Sequence, residues 1–268
     1  MKASQFEYEK PATLQTALAL LSQHREATVL AGGQSLGPLL NLRMAQPKLL
    51  IDVRGLAELS AVRDVGDAVE LGACVTHAAI EDGGVPDPTR GLLRSVARGI
   101  AYRAVRNRGT LGGSLAHADP AADWVSVMAL LEANLLVRSA ADERRLPAAT
   151  FMTGPLSTRL MAGEIIVSIR IPKLSERTRA GYYKFNRKPG EFAEAIGAIL
   201  VDPDRGIHRA VIGATAGAPF VIEDASALLD RVQSSRMPEL VTTAGFIPGS
   251  YEHRVHLVAL QRATAKLQ

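Results

Sequence analysis

The pattern of apolar positions predicts one helix and two strands in the first 55 residues. Apolar side chains at positions 14, 17, 18 and 21 recur at the helical spacing, and Thr13 before them is a typical N-cap. Two short apolar runs, residues 28–31 and 48–53, have the length and composition of buried strands. The first of these runs leads directly into a glycine-rich segment.

The middle of the chain adds a hairpin, two helices and two further strands. Strand-like runs within residues 59–73 flank Asp64-Val65-Gly66-Asp67, a turn sequence typical of hairpins. Apolar spacing predicts a helix over residues 88–101 and another over 120–131, the second with a proline in its first turn. Two more apolar runs predict strands: residues 134–138 and 164–171.

A polar and charged stretch, residues 172–179, predicts an exposed connection to the C-terminal part of the chain. Beyond it, apolar runs predict three strands and two helices: residues 181–186, 195–201, 208–214, 223–232 and 251–266. Strands followed by closing helices are typical of an α+β domain.

Two pairs of adjacent glycines are the candidate functional motifs. One lies in Ala31-Gly32-Gly33-Gln34-Ser35-Leu36 and the other in Gly109-Thr110-Leu111-Gly112-Gly113-Ser114. Adjacent glycines permit sharp turns whose successive N–H groups can surround a phosphate, although a single Gly-Gly pair is more often a turn or packing point. Neither segment fits the Rossmann or P-loop pattern. The residues alone therefore leave phosphate-facing loops and ordinary turns as alternatives.

Charge and cysteine content exclude several classes of protein. Lys and Arg number 31 and Asp and Glu number 27, so the net charge is +4. The chain has no long run of like charges of the kind that would indicate nucleic-acid binding. Cys74 is the only cysteine, which excludes an internal disulfide and a four-cysteine iron–sulfur site. No apolar segment approaches the roughly 18 residues of a membrane span, and no signal peptide is visible. These features predict a cytoplasmic protein.

Histidine and carboxylate spacing gives no metal site. His253 and His256 are three residues apart on a predicted helix, but no cysteine or carboxylate cluster accompanies them. No catalytic triad or acid–base pair stands out either, so no residue is assigned a catalytic role.

Taken in order, several motifs resemble the FAD-binding medium subunit of the molybdenum hydroxylases, the family of xanthine dehydrogenase and carbon monoxide dehydrogenase. Residues 30–36 and 107–114 are similar to the family's two glycine motifs, and Asp119-Pro120-Ala121-Ala122-Asp123 is similar to its D-P-x-x-D element. Residues 183–193 resemble its Y-x-K-x-x-R-R/K-x-G-D-Y-A segment. The resemblance extends over essentially the whole chain.

The resemblance implies an α+β fold of the p-cresol methylhydroxylase/vanillyl-alcohol oxidase type. It places an FAD-binding domain over residues 1–174, with subdomains of about 1–55 and 56–174, and a smaller α+β C-terminal domain over 175–268. It also implies these cofactor-binding residues: Leu30, Ala31, Gly32, Gly33, Gln34, Ser35, Leu36, Ile100, Thr110, Gly112, Gly113, Ser114, Asp123, Ile166 and Lys184.

The roles implied for these residues differ. The two glycine motifs would hold the pyrophosphate from opposite sides, and Asp123 would contact ribose or ribityl hydroxyls. Ile100 would pack near the flavin, whereas Ile166 and Lys184 would line the site, the lysine as a cation.

Three positions depart from the commoner family pattern. Gln34 stands where many members have histidine, and Ser114 where many have asparagine, but both retain hydrogen-bonding capacity. Phe192 stands where tyrosine is commoner, so a hydroxyl that could reach the flavin is missing there.

The resemblance further implies an electron-transfer subunit of a heterotrimer. A large partner would carry the molybdenum cofactor and a small partner two [2Fe–2S] clusters, with electrons passing through FAD to an external acceptor. The resemblance also implies that two heterotrimers pair as a dimer. Two alternatives are open. One is a free-standing flavin oxidoreductase of the same fold, and the other is a nucleotide-binding or scaffold module without flavin. The motifs specify neither the substrate nor the acceptor.

Overall fold

The computed structural model describes residues 2–229 and 236–267, which form three main β-sheets with helices packed against them. The strands are β1 (Glu7–Glu9), β2 (Ala27–Leu30), β3 (Leu49–Asp52), β4 (Val62–Asp64), β5 (Ala68–Gly72), β6 (Asn134–Arg138), β7 (Glu143–Pro147), β8 (Met152–Gly154), β9 (Ser157–Thr158), β10 (Ile165–Pro172), β11 (Arg179–Phe185), β12 (Ala195–Asp202), β13 (Ile207–Gly213) and β14 (Phe220–Ile222). The α-helices are α1 (Leu14–Gln23), α2 (Leu36–Asn41), α3 (Ala57–Ser60), α4 (His77–Glu81), α5 (Leu92–Arg98), α6 (Arg103–Arg106), α7 (Leu111–His117), α8 (Asp123–Leu130), α9 (Ala148–Phe151), α10 (Met237–Thr243) and α11 (Tyr251–Ala265).

The first sheet is parallel and has the strand order β1-β3-β2. Helix α1 covers it with Leu14 and Leu18, and its N-cap Thr13 accepts a hydrogen bond from the Thr16 amide at 3.1 Å. Because the strands are parallel, their carboxyl ends meet at one edge of the sheet. The first glycine motif leaves the sheet at this edge, directly after β2.

The second sheet is antiparallel, in the order β4-β5-β10-β6-β7, and separates two hydrophobic cores. Val167 of β10 faces the core shared with α1 and β3, whereas Ile169 faces the core that contains α8. All eight residues of α8 are buried, and Trp124 and Met128 are among the most deeply buried. Trp124 thus lies fully inside the hydrophobic core.

The third sheet is antiparallel, in the order β11-β12-β13-β14, and has helices on both faces. Helix α11 lies so close to one face that a Cβ at Gly181 or Gly197 would overlap its backbone carbonyls. On the other face, Gly213 of β13 lies against Ser126 of α8. Helix α8 therefore packs against both the second and the third sheet, and its first residue, Asp123, faces β11.

Most predicted elements are confirmed, and the differences lie mainly at element ends. Helix α5 is shorter than residues 88–101 because Gly91, with φ +94°, precedes it and Gly99 caps its end. Helix α8 begins at Asp123, not at Pro120, because the Asp119 carboxylate accepts the Ala121 N–H at 2.9 Å and holds a turn there. Leu59 lies in α3, and the strand of the predicted hairpin starts only at Val62.

Other elements were not predicted because their sequences are polar or short. Strands β1 and β7 carry charged residues yet pair through their backbones, and α10 and β14 have only seven and three residues. The helix predicted over residues 223–232 is a 3₁₀ turn at Ser226–Leu229, and positions 230–232 lie outside the described residues. Among the described helices, none has the length and hydrophobicity needed to cross a bilayer.

Candidate cofactor-binding site

The first glycine motif forms a loop whose backbone donors are free. In the part of the chain that the structure describes, the N–H groups of residues 32–35 donate no hydrogen bond, and the Ser35 side chain makes no capping bond to α2. Gly33 adopts φ +71°, a conformation that glycine adopts without steric cost. The Gln34 side-chain amide donates to the Gly32 carbonyl at 3.0 Å and braces the loop. Successive free N–H groups of this kind suit phosphate oxygens.

The second glycine motif is the first turn of α7 rather than an open loop. Thr110 is its N-cap and accepts the Gly113 N–H at 3.0 Å, while the Gly112 N–H donates to the Ala73 carbonyl at 2.9 Å. The Ser114 N–H donates to the Thr110 carbonyl at 3.0 Å. These three amides are engaged within the fold. The hydroxyl groups of Thr110 and Ser114, and not these amides, are therefore the groups that can bind a ligand.

The two motifs pack against each other through glycine. A Cβ at Gly32 would overlap the carbonyl oxygen of Arg108 and lie 2.8 Å from the Cα of Gly109. A Cβ at Gly113 would lie 3.9 Å from the Cβ of Ala31. The structure therefore brings together the two segments that, by the family resemblance, are expected to hold one pyrophosphate.

His77, which the sequence analysis did not single out, connects this junction to α8. Its ring lies against Gly109, and its Nδ1 accepts the Trp124 indole N–H at 3.0 Å, so the neutral ring carries its proton on Nε2. The side chain is 5% exposed, and burial, with a smaller effect of Arg106, lowers the pKa of His77 to about 4. No sequence signal marks this residue, because its partner Trp124 is 47 positions away.

Replacing His77 by glutamine is expected to flatten the acid dependence of stability. Folded His77 titrates near pH 4 and the unfolded residue near 6.5, so stability present above pH 6.5 is lost as the pH falls towards 4. Between pH 7 and pH 4, the free energy of unfolding of the variant should fall by about 2–3 kcal/mol less than that of the wild type. Urea unfolding at both pH values checks it, with His24→Gln at an exposed position as the control. Equal pH slopes for the two variants would contradict the expectation.

A buried ion pair joins α8 to β11. Lys184 Nζ donates to Asp123 Oδ2 at 3.0 Å, and the Tyr182 hydroxyl donates to Asp123 Oδ1 at 2.5 Å. Burial raises the pKa of Asp123, and the charge of Lys184 and the hydrogen bonds oppose that rise. Lys184 also donates to the Gly99 carbonyl at 3.0 Å, next to Ile100. Two residues predicted to contact a cofactor thus contact each other.

Arg106, which precedes the second motif, is tied into the fold by its side-chain hydrogen bonds. The buried guanidinium of Arg106 donates to the Ile100 and Ala101 carbonyls, each at 2.9 Å, and pairs with Glu81 at 2.7 Å. The Arg106 guanidinium therefore supports the backbone at residues 100 and 101, and its donors are engaged within the protein.

The remaining predicted residues lie in different surroundings. Ile100 is half-buried and bridges to Gly190, whereas Ile166 lies inside the hydrophobic core. Phe192 is 59% exposed. Cys74 is buried, and burial raises the pKa of its thiol to about 11.

Comparisons with known proteins identify the class. Residues 4–174 match the family described as FAD binding domain in molybdopterin dehydrogenase. The nicotine 6-hydroxylase medium subunit of Paenarthrobacter nicotinovorans is 35% identical over 96% of this chain and 91% of that subunit. The caffeine dehydrogenase subunit beta of Pseudomonas sp. (strain CBB1) is 36% identical over 79% of this chain and 73% of that subunit. Carbon monoxide dehydrogenase of Hydrogenophaga pseudoflava superposes with a TM-score of 0.92 at 30% identity, covering 100% and 98% of the two chains.

The chain belongs to the family of FAD-binding domains in molybdopterin dehydrogenases. It is an FAD-binding oxidoreductase subunit of the molybdenum hydroxylase class, and its mixed α/β fold is that of the medium subunit of carbon monoxide dehydrogenase. The family, the activity class and the FAD cofactor predicted from the motifs are therefore confirmed. The free amides of residues 32–35 and the polar pair at Asp123 fit a dinucleotide cofactor.

Proposed function

We propose that this chain is the electron-transfer medium subunit of a heterotrimeric molybdenum hydroxylase. Electrons would reach it from two [2Fe–2S] clusters on a small partner and leave it for an external acceptor, while a large partner holds the molybdenum cofactor and the substrate. Bound FAD supplies the redox chemistry of its ring system. The loop with four free amides carries the proposal, because it is an anion site in a chain whose single cysteine cannot ligate a cluster.

The site residues divide into four groups in this proposal. The amides of residues 32–35 bind the pyrophosphate, and the hydroxyls of Thr110 and Ser114 approach it from the other motif. Asp123 and Lys184 form the polar part of the site beyond the loops. Ala31, Gly112 and Gly113 provide close packing around the two motifs. The other predicted residues shape the apolar part of the site: Leu30, Leu36, Ile100 and Ile166. This assignment is supported by the contact between the two glycine motifs and by the Lys184 bond to Gly99.

The domain organisation is part of the same proposal. Residues 1–174 form a p-cresol methylhydroxylase-type FAD-binding domain with subdomains of about 1–55 and 56–174, and residues 175–268 form the C-terminal domain. The parallel sheet, the five-stranded sheet and the four-stranded sheet lie in these three stretches in turn, which supports the division.

The proposed assembly contains one large and one small partner, pairs as a dimer of heterotrimers and works in the cytoplasm. Relatives described as medium subunits of nicotine 6-hydroxylase and carbon monoxide dehydrogenase support this arrangement. No nucleic-acid partner belongs to the proposal.

Purification of the tagged chain from its native host tests the proposed function. A visible spectrum, metal analysis and gel electrophoresis should show flavin, molybdenum, iron and two additional polypeptides. Flavin without metals or partners would instead support a free-standing flavin oxidoreductase with its own substrate site. A chain without flavin would overturn both functions.

A further inference from the structure

The carboxylate of Asp123 is held from one strand by two different donors. Tyr182 and Lys184 are two positions apart on β11, so their side chains point to the same face of the strand. The Tyr182 hydroxyl donates to Oδ1 at 2.5 Å and Lys184 Nζ donates to Oδ2 at 3.0 Å. Each carboxylate oxygen therefore has its own partner, which fixes the plane of the carboxylate.

Burial makes this arrangement energetically important. Asp123 is 5% exposed and the Lys184 side chain 9% exposed, so water does little to solvate either charge. A buried charge is tolerated when it is both paired and hydrogen-bonded. The lysine supplies the opposite charge, and the tyrosine supplies the second hydrogen bond to the carboxylate.

We propose that Tyr182 is a positioning residue of the FAD site, which orients the Asp123 carboxylate and, through it, the Lys184 ammonium group. This inference rests on the proposed function, since the pair is assigned to the cofactor there. Without the hydroxyl, Oδ1 loses its donor and the carboxylate is free to rotate about the lysine. The ammonium group then loses its fixed direction.

Tyr183 provides a matched control on the same strand. It points to the opposite face, where the Arg262 guanidinium lies 5.0 Å from its ring centroid and also contacts its hydroxyl. Tyr182→Phe and Tyr183→Phe each remove one hydroxyl from β11 and keep the ring. Only the first removes a hydrogen bond to Asp123.

The first measurement is FAD binding by the purified subunit. Loss of a hydrogen bond to a charged group corresponds to about a tenfold change in affinity. Tyr182→Phe should therefore raise the Kd of FAD about tenfold, whereas Tyr183→Phe should keep the wild-type value. Reduction of a bound flavin adds negative charge, so displacement of the cation should also make the midpoint potential of Tyr182→Phe more negative. Equal values for the two variants would overturn the proposal.

A double-mutant cycle tests whether Tyr182 acts through Asp123. In an Asp123→Ala background, Tyr182→Phe should cause no further loss of FAD affinity, because the carboxylate that the hydroxyl orients is absent. Additive losses would show that the tyrosine acts by another route and would overturn the proposal.

Carbon-13 NMR of the Asp123 carboxyl gives a readout that needs no cofactor. Its pKa should rise in Tyr182→Phe, which loses a bond to the ionised form, and stay at the wild-type value in Tyr183→Phe. An unchanged pKa in Tyr182→Phe would overturn the positioning contact. Failure of the wild-type chain to bind FAD, with the NMR shift present, would instead overturn the proposed function and leave the contact established.

Discussion

Replacing Gly32 by alanine is expected to abolish measurable FAD binding and to lower the free energy of unfolding by about 2–3 kcal/mol. The new Cβ would overlap the Arg108 carbonyl oxygen and lie 2.8 Å from the Cα of Gly109. Both neighbours are backbone atoms, so no side-chain rotation relieves the clash. The two glycine motifs must move apart, which displaces the free N–H groups of residues 32–35 relative to the second motif.

Gly37→Ala is the matched control for this prediction. Gly37 lies five residues further along, inside α2, and a Cβ there meets no atom within 4 Å. Alanine is also the better helix former, so this variant should be at least as stable as the wild type. Fluorescence titration with FAD and urea unfolding compare the two. Wild-type FAD affinity in Gly32→Ala would show that contact between the motifs is unnecessary for cofactor binding.

The sequence predicts where the glycine motifs lie, but not which of their amides are available. Residues 32–35 keep free N–H groups because the loop leaves the edge of a sheet. The similar Gly112-Gly113 pair has its amides engaged by Thr110 and by the Ala73 carbonyl. Ala73 is distant in sequence and comes close only through the tertiary fold. A local motif therefore identifies the segment, while long-range packing decides which of its groups can contact a ligand.

The same distinction applies to helices, strands and side-chain partners. Helix α1 and the buried strands β3 and β12 follow local patterns, so the sequence predicts them well. Strand β1 is polar and exists because its backbone pairs with β3, which no local pattern reveals. Alternation along β11 places Tyr182 and Lys184 on one face, but their partner Asp123 is 59 and 61 positions away. Predicted cofactor contacts at Asp123 and Lys184 therefore gave no indication that these residues pair.

Replacing Lys184 by methionine is expected to destabilise the subunit by about 3–5 kcal/mol, the usual effect of removing one partner of a buried ion pair. Asp123 would keep the Tyr182 hydrogen bond but lose its counter-charge in a site that water barely reaches. FAD binding should weaken as well, because the site loses its cation. Lys188→Met is the control, since Lys188 is exposed in the segment that follows β11.

The destabilisation of Lys184→Met should depend on pH in a defined direction. Burial already raises the pKa of Asp123 and the lysine opposes that rise, so its removal raises the folded-state pKa further. The folded variant then holds a proton that the unfolded chain has released, and its stability falls as the pH rises. The stability deficit relative to wild type should accordingly be smaller at pH 5 than at pH 8.

A second substitution separates loss of the ion pair from general loss of packing. In the double variant Asp123→Asn/Lys184→Met the uncompensated carboxylate is gone, and the side-chain amide oxygen at position 123 can still accept the Tyr182 hydroxyl. We expect the double variant to regain much of the lost stability at pH 8 and to lose the pH dependence, because neutral groups need no counter-charge. FAD affinity should stay low, since the cation is still missing. A double variant no more stable than Lys184→Met would mean that lysine packing, not its charge, holds α8 against β11.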